Sequence, residues 1–219
     1  MTYRLKHLAM TCLLIPLAFN FSTATAAPDE QYKAGTHYEV LEPPVRTSDP
    51  KRIEVAEVFW YGCSHCFSFE PMVSTWAKQQ AEDVNFIHSP AIWHKNMELH
   101  ARAYYTAKAL KVLGPVHQAI FEAMNLKKNK LASKEAIGKI FVAQGVDLDK
   151  FNKTFDSFGV VSATKQADAR QRSYGIKGTP ELVVNGKYRL SAKMAGGQGQ
   201  MLKVADYLIE QERENLGTK

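Results

Sequence analysis

Two cysteines separated by two residues carry the most specific chemistry in the sequence. Cys63 and Cys66 enclose Ser64 and His65, and the motif follows an apolar run over 53–61. At a helix N-terminus, free N–H groups and the positive end of the helix dipole favour a thiolate. We therefore expect Cys63 to be the exposed nucleophile. Cys66, one turn further along, is expected to be the shielded thiol that attacks a mixed disulfide and releases the partner.

The residues around the motif decide between redox chemistry and other uses of paired cysteines. His65 adds a donor or a positive charge beside Cys63, and stabilising that thiolate makes the disulfide a stronger oxidant. A structural disulfide spanning two residues closes too small a loop to stabilise much. Structural zinc needs a second pair of ligands at matching spacing, which His88, His94 and His100 do not supply. We expect no metal and no cofactor, with metal binding kept as a lesser alternative.

The N-terminal residues have the pattern of an export signal. A basic start precedes an apolar run over 8–21, and small residues with an Ala-Thr-Ala cleavage pattern follow over 22–27. The apolar run is shorter than the roughly 20 residues that span a bilayer. We expect a cleaved signal peptide over 1–26, which removes Cys12 and carries the mature chain into a compartment that oxidises thiols.

Composition and charge narrow the class of protein. The chain has 219 residues, 45% hydrophobic and 23% charged, which is enough apolar material for a core and argues against disorder. The 28 basic and 22 acidic residues give a net charge of +6, and the basic residues are spread along the chain. A nucleic-acid partner is therefore not expected.

Hydrophobic periodicity predicts an α/β fold interrupted by helices. The run 53–61 is apolar on both faces apart from two Glu, as in a central strand covered on both sides. A second strand is predicted over 84–87, followed by a helix over 97–113 that Gly114-Pro115 ends. Further helices are predicted from Pro115 to about 126, after the cap Ser133, after the cap Asp147 and over 160–174. A hairpin and a closing helix complete the chain. Asn185-Gly186 predicts the hairpin turn between strands 181–184 and 188–190.

Two details of the packing follow from the same periodicity. Phe151, Phe155 and Phe158 recur at helical spacing and are expected in the core. In the closing helix, Met201 and Leu208 belong to the predicted apolar face, while Glu212 is expected on the solvent side.

Two separated segments resemble the DsbA family of thiol–disulfide oxidoreductases. They are EVFWYGCSHCFSFEP over 57–71 and GTPELVVNGKY over 178–188, and the resemblance covers nearly the whole mature chain. It implies a thioredoxin fold with an inserted all-helical subdomain. The corresponding parts would be 27–94 and 159–219 for the thioredoxin-like domain and 95–158 for the insertion.

The resemblance also implies a function. It implies a monomeric periplasmic enzyme that donates its disulfide to newly exported, unfolded proteins and is reoxidised by a quinone-linked membrane protein of the DsbB type. A reductase or isomerase of the same fold, and a non-catalytic metal carrier or peptide-binding chaperone, remain open as alternatives.

Site roles carry over from the family one position at a time. Cys63 matches the nucleophile, Cys66 the resolving cysteine and His65 the histidine that tunes the couple. Pro180 matches the cis-proline that lies against the disulfide and presents backbone groups to a bound peptide, and Thr179 precedes it.

Ser64 departs from the family pattern, which has Pro at that position, and leaves the oxidising strength open. Ser64 also borders the expected substrate surface.

Two acidic residues near the motif have different expectations. By alternation Glu57 shares a strand face with Val55 and Phe59, so it lies in a run otherwise suited to burial. A buried carboxylate is costly unless it is paired or protonated. We expect an ion pair or, as the resemblance implies, a carboxyl that exchanges a proton with Cys66. Glu70 is expected at the surface.

Overall fold

The central strand of the sheet is buried along its whole length. The computed structural model describes residue 2 and residues 31–217, so the predicted signal peptide lies outside the described residues apart from residue 2. In this part of the chain the strands are β1 (Glu39–Val40), β2 (Ile53–Phe59), β3 (Val84–Pro90), β4 (Glu181–Val184) and β5 (Tyr188–Ser191). They form one sheet in the order β1-β5-β4-β2-β3. All seven residues of β2 are buried, as the apolar run predicted.

Helices cover both faces of this sheet. The helices of residues 31–217 are α1 (Ser64–Gln79), α2 (Lys95–Ala109), α3 (Leu113–Asn125), α4 (Lys134–Ala143), α5 (Leu148–Phe155), α6 (Phe158–Ser173), α7 (Ala192–Ala195) and α8 (Gln198–Gly217). The parallel pair β2 and β3 is joined through α1, and β4 pairs with β2 in antiparallel orientation. Phe69 and Val73 of α1 share one core cluster with Met201 and Leu208 of α8.

Five helices, α2 to α6, lie between β3 and β4 along the described chain, which confirms an α/β fold with a helical insertion. Phe121, Phe141 and Phe151 form a second core cluster with Phe59 of the sheet. The insertion therefore packs directly behind the end of β2. The division at residues 94/95 and 158/159 remains a prediction.

Three local predictions are confirmed. Ser133 accepts a hydrogen bond from the backbone N–H of Ala136 at 3.2 Å and so caps α4. Asp147 accepts one from the N–H of Lys150 at 2.8 Å and caps α5. Asn185 and Gly186 both have positive φ, 49° and 64°, as a two-residue hairpin turn of this type requires.

The boundary between α2 and α3 differs from the prediction. A single helix was expected over 97–113 with Gly114-Pro115 ending it, but α2 ends at Ala109 and α3 begins at Leu113. Lys111, with φ of 60°, breaks the helical path between them. Pro115 lies in the first turn of α3, where its missing N–H has no helical partner in any case.

Two burial predictions made from helical periodicity are wrong. Phe158 is 87% exposed rather than part of the core. The reason is that Ser157 caps a new helix, so the spacing from Phe155 does not continue along one axis. Glu212, expected in solvent, is fully buried because Lys187, Asn185 and Tyr188 from the hairpin hydrogen-bond its carboxylate.

No helix in residues 31–217 combines the length and the apolar character needed to cross a membrane.

Candidate active site

The two cysteines occupy the start of α1, where β2 ends. Cys63 is the N-cap of the helix, and its sulfur accepts a hydrogen bond from the backbone N–H of Cys66 at 3.4 Å. Both cysteines are free thiols. Cys63 is partly exposed, whereas Cys66 is completely buried. The exposed and shielded positions predicted for the pair are thus the ones the fold provides.

A loop from the other half of the sheet closes over Cys63. The Thr179–Pro180 peptide bond, just before β4, is cis. The Cys63 thiol donates a hydrogen bond to the Thr179 carbonyl at 3.2 Å, across 116 residues of sequence. The backbone N–H of Gly178 donates to Glu181 Oε1 at 3.0 Å, which holds the loop in place. Pairing of β4 with β2 is what brings Thr179 and Pro180 to the cysteines.

The surroundings of Cys63 favour its thiolate. The Cys66 side chain hydrogen-bonds the Cys63 sulfur, burial opposes ionisation, and the Thr179 side chain and the backbone N–H groups of Cys66 and His65 add further hydrogen bonds. Together they lower the pKa of Cys63 from 9.0 to about 5. At neutral pH the exposed sulfur is therefore the charged one.

Cys66 has the opposite electrostatics. Burial disfavours its thiolate, and the hydrogen bond to Cys63, the charge of Cys63 and the charge of Glu57 act in the same direction. The pKa of Cys66 is raised far above its ordinary value. The pair thus consists of one thiolate that can attack and one thiol that keeps its proton, which is the arrangement thiol–disulfide exchange uses.

The dipeptide between the cysteines faces solvent. The side chains of Ser64 and His65 are both exposed. The contacts of His65 toward the site run through its main chain, because its N–H faces the Cys63 sulfur and its carbonyl accepts from Gln198 Nε2 at 2.7 Å. Gln198, at the start of α8, has no sequence signal that would have indicated this contact.

Glu57 lies behind the cysteines and is 1% exposed, as predicted. Strand pairing aligns it with His88 on β3, and the side chains make an ion pair with 3.1 Å between Glu57 Oε2 and His88 Nε2. Burial alone would lower the pKa of His88, but hydrogen bonds with Glu57 and Glu70 outweigh it and raise the pKa to about 9. The ion pair expected for Glu57 is present. Proton exchange between Glu57 and Cys66 stays a prediction.

Glu70 is buried, contrary to the expectation from the sequence. It was expected at the surface, yet it is only 8% exposed. It lies four residues after Cys66 on α1, so it shares the inward face of that helix with the buried thiol. Glu70 Oε2 lies 3.5 Å from His88 Nε2 and 3.3 Å from His117 Nε2 of α3. Burial opposes its ionisation, but hydrogen bonds from His117 and His88 hold the pKa of Glu70 well below its usual range.

His117 was missed by the sequence analysis. Its ring also lies 2.7 Å, at Nδ1, from the hydroxyl of Tyr61. A signal was available, because His117 stands next to Val116 and three and four residues before Ile120 and Phe121, in the apolar stripe of α3. A polar ring on such a stripe indicates a buried partner, although the sequence does not show which one.

Comparison with known proteins agrees with this geometry. Residues 76–208 match the DSBA-like thioredoxin domain family. A thiol:disulfide interchange protein DsbA from Pseudomonas aeruginosa is 39% identical over 209 residues, which cover 95% of this chain and 98% of the relative. The corresponding protein of Azotobacter vinelandii is 42% identical over 181 residues, covering 83% of this chain and 85% of the relative. These longer matches include the cysteine motif, which precedes residue 76.

Solved structures show the same similarity. The crystal structure of Pseudomonas aeruginosa DsbA superimposes with a TM-score of 0.83 at 39% identity, covering 86% of this chain and 98% of that one. The oxidoreductase DsbA from Xylella fastidiosa gives a TM-score of 0.78 at 30% identity, covering 84% and 98%. The fold is therefore the thioredoxin-like fold that the resemblance implied.

Proposed function

We propose that this chain, which belongs to the DsbA-like thioredoxin domain family of thiol:disulfide oxidoreductases, transfers its Cys63–Cys66 disulfide to newly exported, unfolded proteins. The observation that carries the proposal is the asymmetry of the two thiols. One sulfur is partly exposed with a pKa of about 5, and the other is buried with a raised pKa. Such a dithiol is stabilised in its reduced form, so its disulfide is a strong acceptor of electrons.

The exchange proceeds in two steps. A substrate thiolate attacks Cys63 Sγ of the disulfide, the Cys63–Cys66 bond breaks, and Cys66 leaves and takes up a proton, as its raised pKa requires. A second substrate thiolate then attacks the substrate sulfur of the mixed disulfide. Cys63 leaves as a thiolate, which its low pKa makes a good leaving group. Two electrons pass to the protein. Of the two protons that the substrate dithiol loses, one ends on Cys66 and one in solvent.

The residues around Cys63 support loose binding of an extended substrate. Ser64 is exposed beside the nucleophile, the partly buried Thr179 contacts it through its carbonyl, and Pro180 follows in the same loop with its side chain buried. We assign these three residues to the substrate-binding surface. Backbone groups of the cis-Pro loop suit many sequences, because they do not read side chains, and a broad range of clients follows from that.

The cellular setting is part of the proposal. The export signal expected over 1–26 supports action in the periplasm, and relatives named as thiol:disulfide interchange proteins support the exchange chemistry. We propose that the protein acts there as a monomer. Each cycle leaves the protein reduced, so an electron acceptor must restore the disulfide. We assign that step to a quinone-linked membrane protein of the DsbB type.

Direct transfer to a substrate tests the proposal. Oxidised protein is mixed with a reduced, unfolded peptide that contains two cysteines, and the peptide disulfide is quantified by mass spectrometry. We expect about one peptide disulfide per protein. Cys66→Ala should accumulate mixed disulfides through Cys63 on non-reducing gels, and Cys63→Ser should form none. A protein that leaves the peptide reduced, or reduces a peptide disulfide instead, would indicate a reductase of the same fold.

A further inference from the structure

Three side chains from three elements converge behind the redox centre. Glu70 comes from α1, His88 from β3 and His117 from α3. Glu70 Oε2, His88 Nε2 and His117 Nε2 lie within 4.8 Å of one another. Imidazole nitrogen and carboxylate oxygen are the donor set of many divalent transition-metal sites. The mechanism proposed above does not use Glu70 or His117.

Two of the separations between these atoms can be compared with those in metal sites. Glu70 Oε2 is 3.3 Å from His117 Nε2 and 3.5 Å from His88 Nε2. Ligands bound at about 2.0–2.1 Å in a tetrahedral zinc site lie about 3.3–3.4 Å apart. Adjacent ligands of an octahedral ion at the same bond length lie only about 3.0 Å apart. The two separations are compatible with a tetrahedral zinc ion.

The same atoms contact one another and Glu57 as ion pairs at 3.1–3.5 Å, but without well-directed hydrogen bonds. Glu70 Oε2, His88 Nε2 and His117 Nε2 are buried and make no well-directed hydrogen bond among the described residues. Both carboxylate oxygens of Glu57 are also buried without a well-directed hydrogen bond, and Oε2 of Glu57 is 3.1 Å from His88 Nε2. Buried polar atoms in native proteins are nearly always paired, so a cluster of unsatisfied ones aimed at one region needs an explanation. The carboxylate of Glu70, with Glu57 close by against His88, would offset the charge of a divalent cation at this buried position.

Neighbouring groups hold two of the ligands in position. His117 Nδ1 is hydrogen-bonded to the Tyr61 hydroxyl at 2.7 Å, which leaves Nε2 directed at the cluster. Ser74 donates to Glu70 Oε1 at 2.5 Å, which leaves Oε2 directed at the same point. Orientation of ligands through their second polar atom is the usual support of a metal site.

Of the three ligand residues, His88 borders a cavity. Its side chain is 15% exposed and lines a cavity of about 430 Å³ between β3, α2 and α6. Lys108 and Arg170 line the same cavity. Their charges repel a cation and slow its access, without changing the ligands that hold it.

We propose that Glu70, His88 and His117 form a three-ligand zinc site, with the Glu57 carboxylate next to it against His88. Binding requires both imidazoles in the neutral form and releases any proton that His88 carries. The ion would join α3 of the helical insertion to α1 and β3 of the sheet, directly behind the cysteines.

Zinc uptake by the oxidised protein tests the site, because the Cys63–Cys66 disulfide removes the thiolates as competing ligands. The protein is incubated for hours with Zn²⁺, dialysed and analysed for metal. We expect about one zinc per chain, a raised thermal midpoint, and the visible absorption of tetrahedral cobalt when Co²⁺ replaces zinc. Glu70→Gln and His117→Gln should each weaken zinc binding at least about tenfold.

A matched control separates this site from other histidines. His94→Gln changes an exposed histidine outside the cluster and should leave zinc uptake unchanged. Circular dichroism establishes that each variant is folded, and Glu70→Gln keeps the shape of the side chain if His117→Gln unfolds. Uptake only by reduced protein would place the metal on the cysteines and overturn the proposal. No uptake by the oxidised protein, or equal uptake by Glu70→Gln, would also overturn it.

Discussion

The ionisation of Cys63 predicts that the stability of the reduced protein depends on pH in a defined way. The pKa of Cys63 is about 5 in the folded protein and 9.0 for an ordinary thiol. Because the folded value is the lower one, the stabilisation is complete above pH 9 and is lost as the pH falls through 5. The oxidised protein has no Cys63 thiol and lacks this contribution.

The size of the effect follows from the two values. At pH 7 the thiolate is favoured by about two pH units relative to the unfolded chain, an upper limit of about 2.7 kcal/mol at 1.36 kcal/mol per unit. Cys63 is partly exposed, so solvent screening reduces this to about 1–2 kcal/mol. At about pH 4 the contribution is close to zero. The reduced form should therefore lose about 1–2 kcal/mol relative to the oxidised form between these conditions.

Urea unfolding of both redox forms measures this difference. Other titrating groups, including Glu57 and His88, are present in both forms and cancel in the comparison to first order. Thiolate absorbance at 240 nm gives the pKa of Cys63 independently. The same stability difference at both pH values, together with a thiolate midpoint above about 8, would refute the assignment of Cys63 as a stabilised thiolate.

Three further substitutions test separate parts of the account. Thr179→Val removes the hydroxyl that stabilises the Cys63 thiolate and should raise the pKa of Cys63, read from absorbance at 240 nm. An unchanged pKa would show that this hydroxyl does not stabilise the thiolate. His65→Gln removes the imidazole beside Cys63 and should make the couple less oxidising, as the family resemblance implies; an unchanged glutathione equilibrium would limit His65 to its main-chain contact. Glu212→Ala leaves Lys187 without its buried partner and should cost about 1–3 kcal/mol in urea unfolding, whereas a loss below about 0.5 kcal/mol would contradict the role of Glu212.

The features that depend on residues close together in the sequence could be predicted. A cysteine pair at a strand end, a side chain that accepts from the third N–H of a helix, and an Asn-Gly turn each depend on neighbours within a few residues. Cys63, Ser133 and Asp147 accordingly cap their helices as expected. The central position of β2 also followed, because burial on both faces leaves a continuous apolar run.

The polar interior was not predictable in the same way. Glu70 and Glu212 look like solvent-facing residues of amphipathic helices, but partners from distant elements bury them. For Glu212 the partners come from the hairpin, and for Glu70 they come from β3 and α3. A sequence pattern shows which face of a helix is polar, whereas the contact with His117 depends on how α3 packs on α1.

Hydrophobic periodicity also gave wrong helix ends where the sequence has no strong signal for a helix end. Phe158 continues the spacing of Phe151 and Phe155, yet it belongs to the next helix and is exposed. Between α2 and α3, Lys111 takes a left-handed conformation that a lysine rarely adopts. No glycine stands at this position to indicate the end of α2 in the sequence.

The redox potential of the Cys63–Cys66 couple tests the central claim most directly. Purified protein is equilibrated with glutathione buffers, and the transition is followed by tryptophan fluorescence, since Trp60 lies three residues before Cys63. Reference potentials are about −120 mV for DsbA, the established oxidant of this family, and about −270 mV for thioredoxin. A Cys63 thiolate with a pKa of about 5 predicts a potential above about −240 mV, toward the DsbA reference. A potential at or below about −270 mV would contradict the account and identify the chain as a reductant.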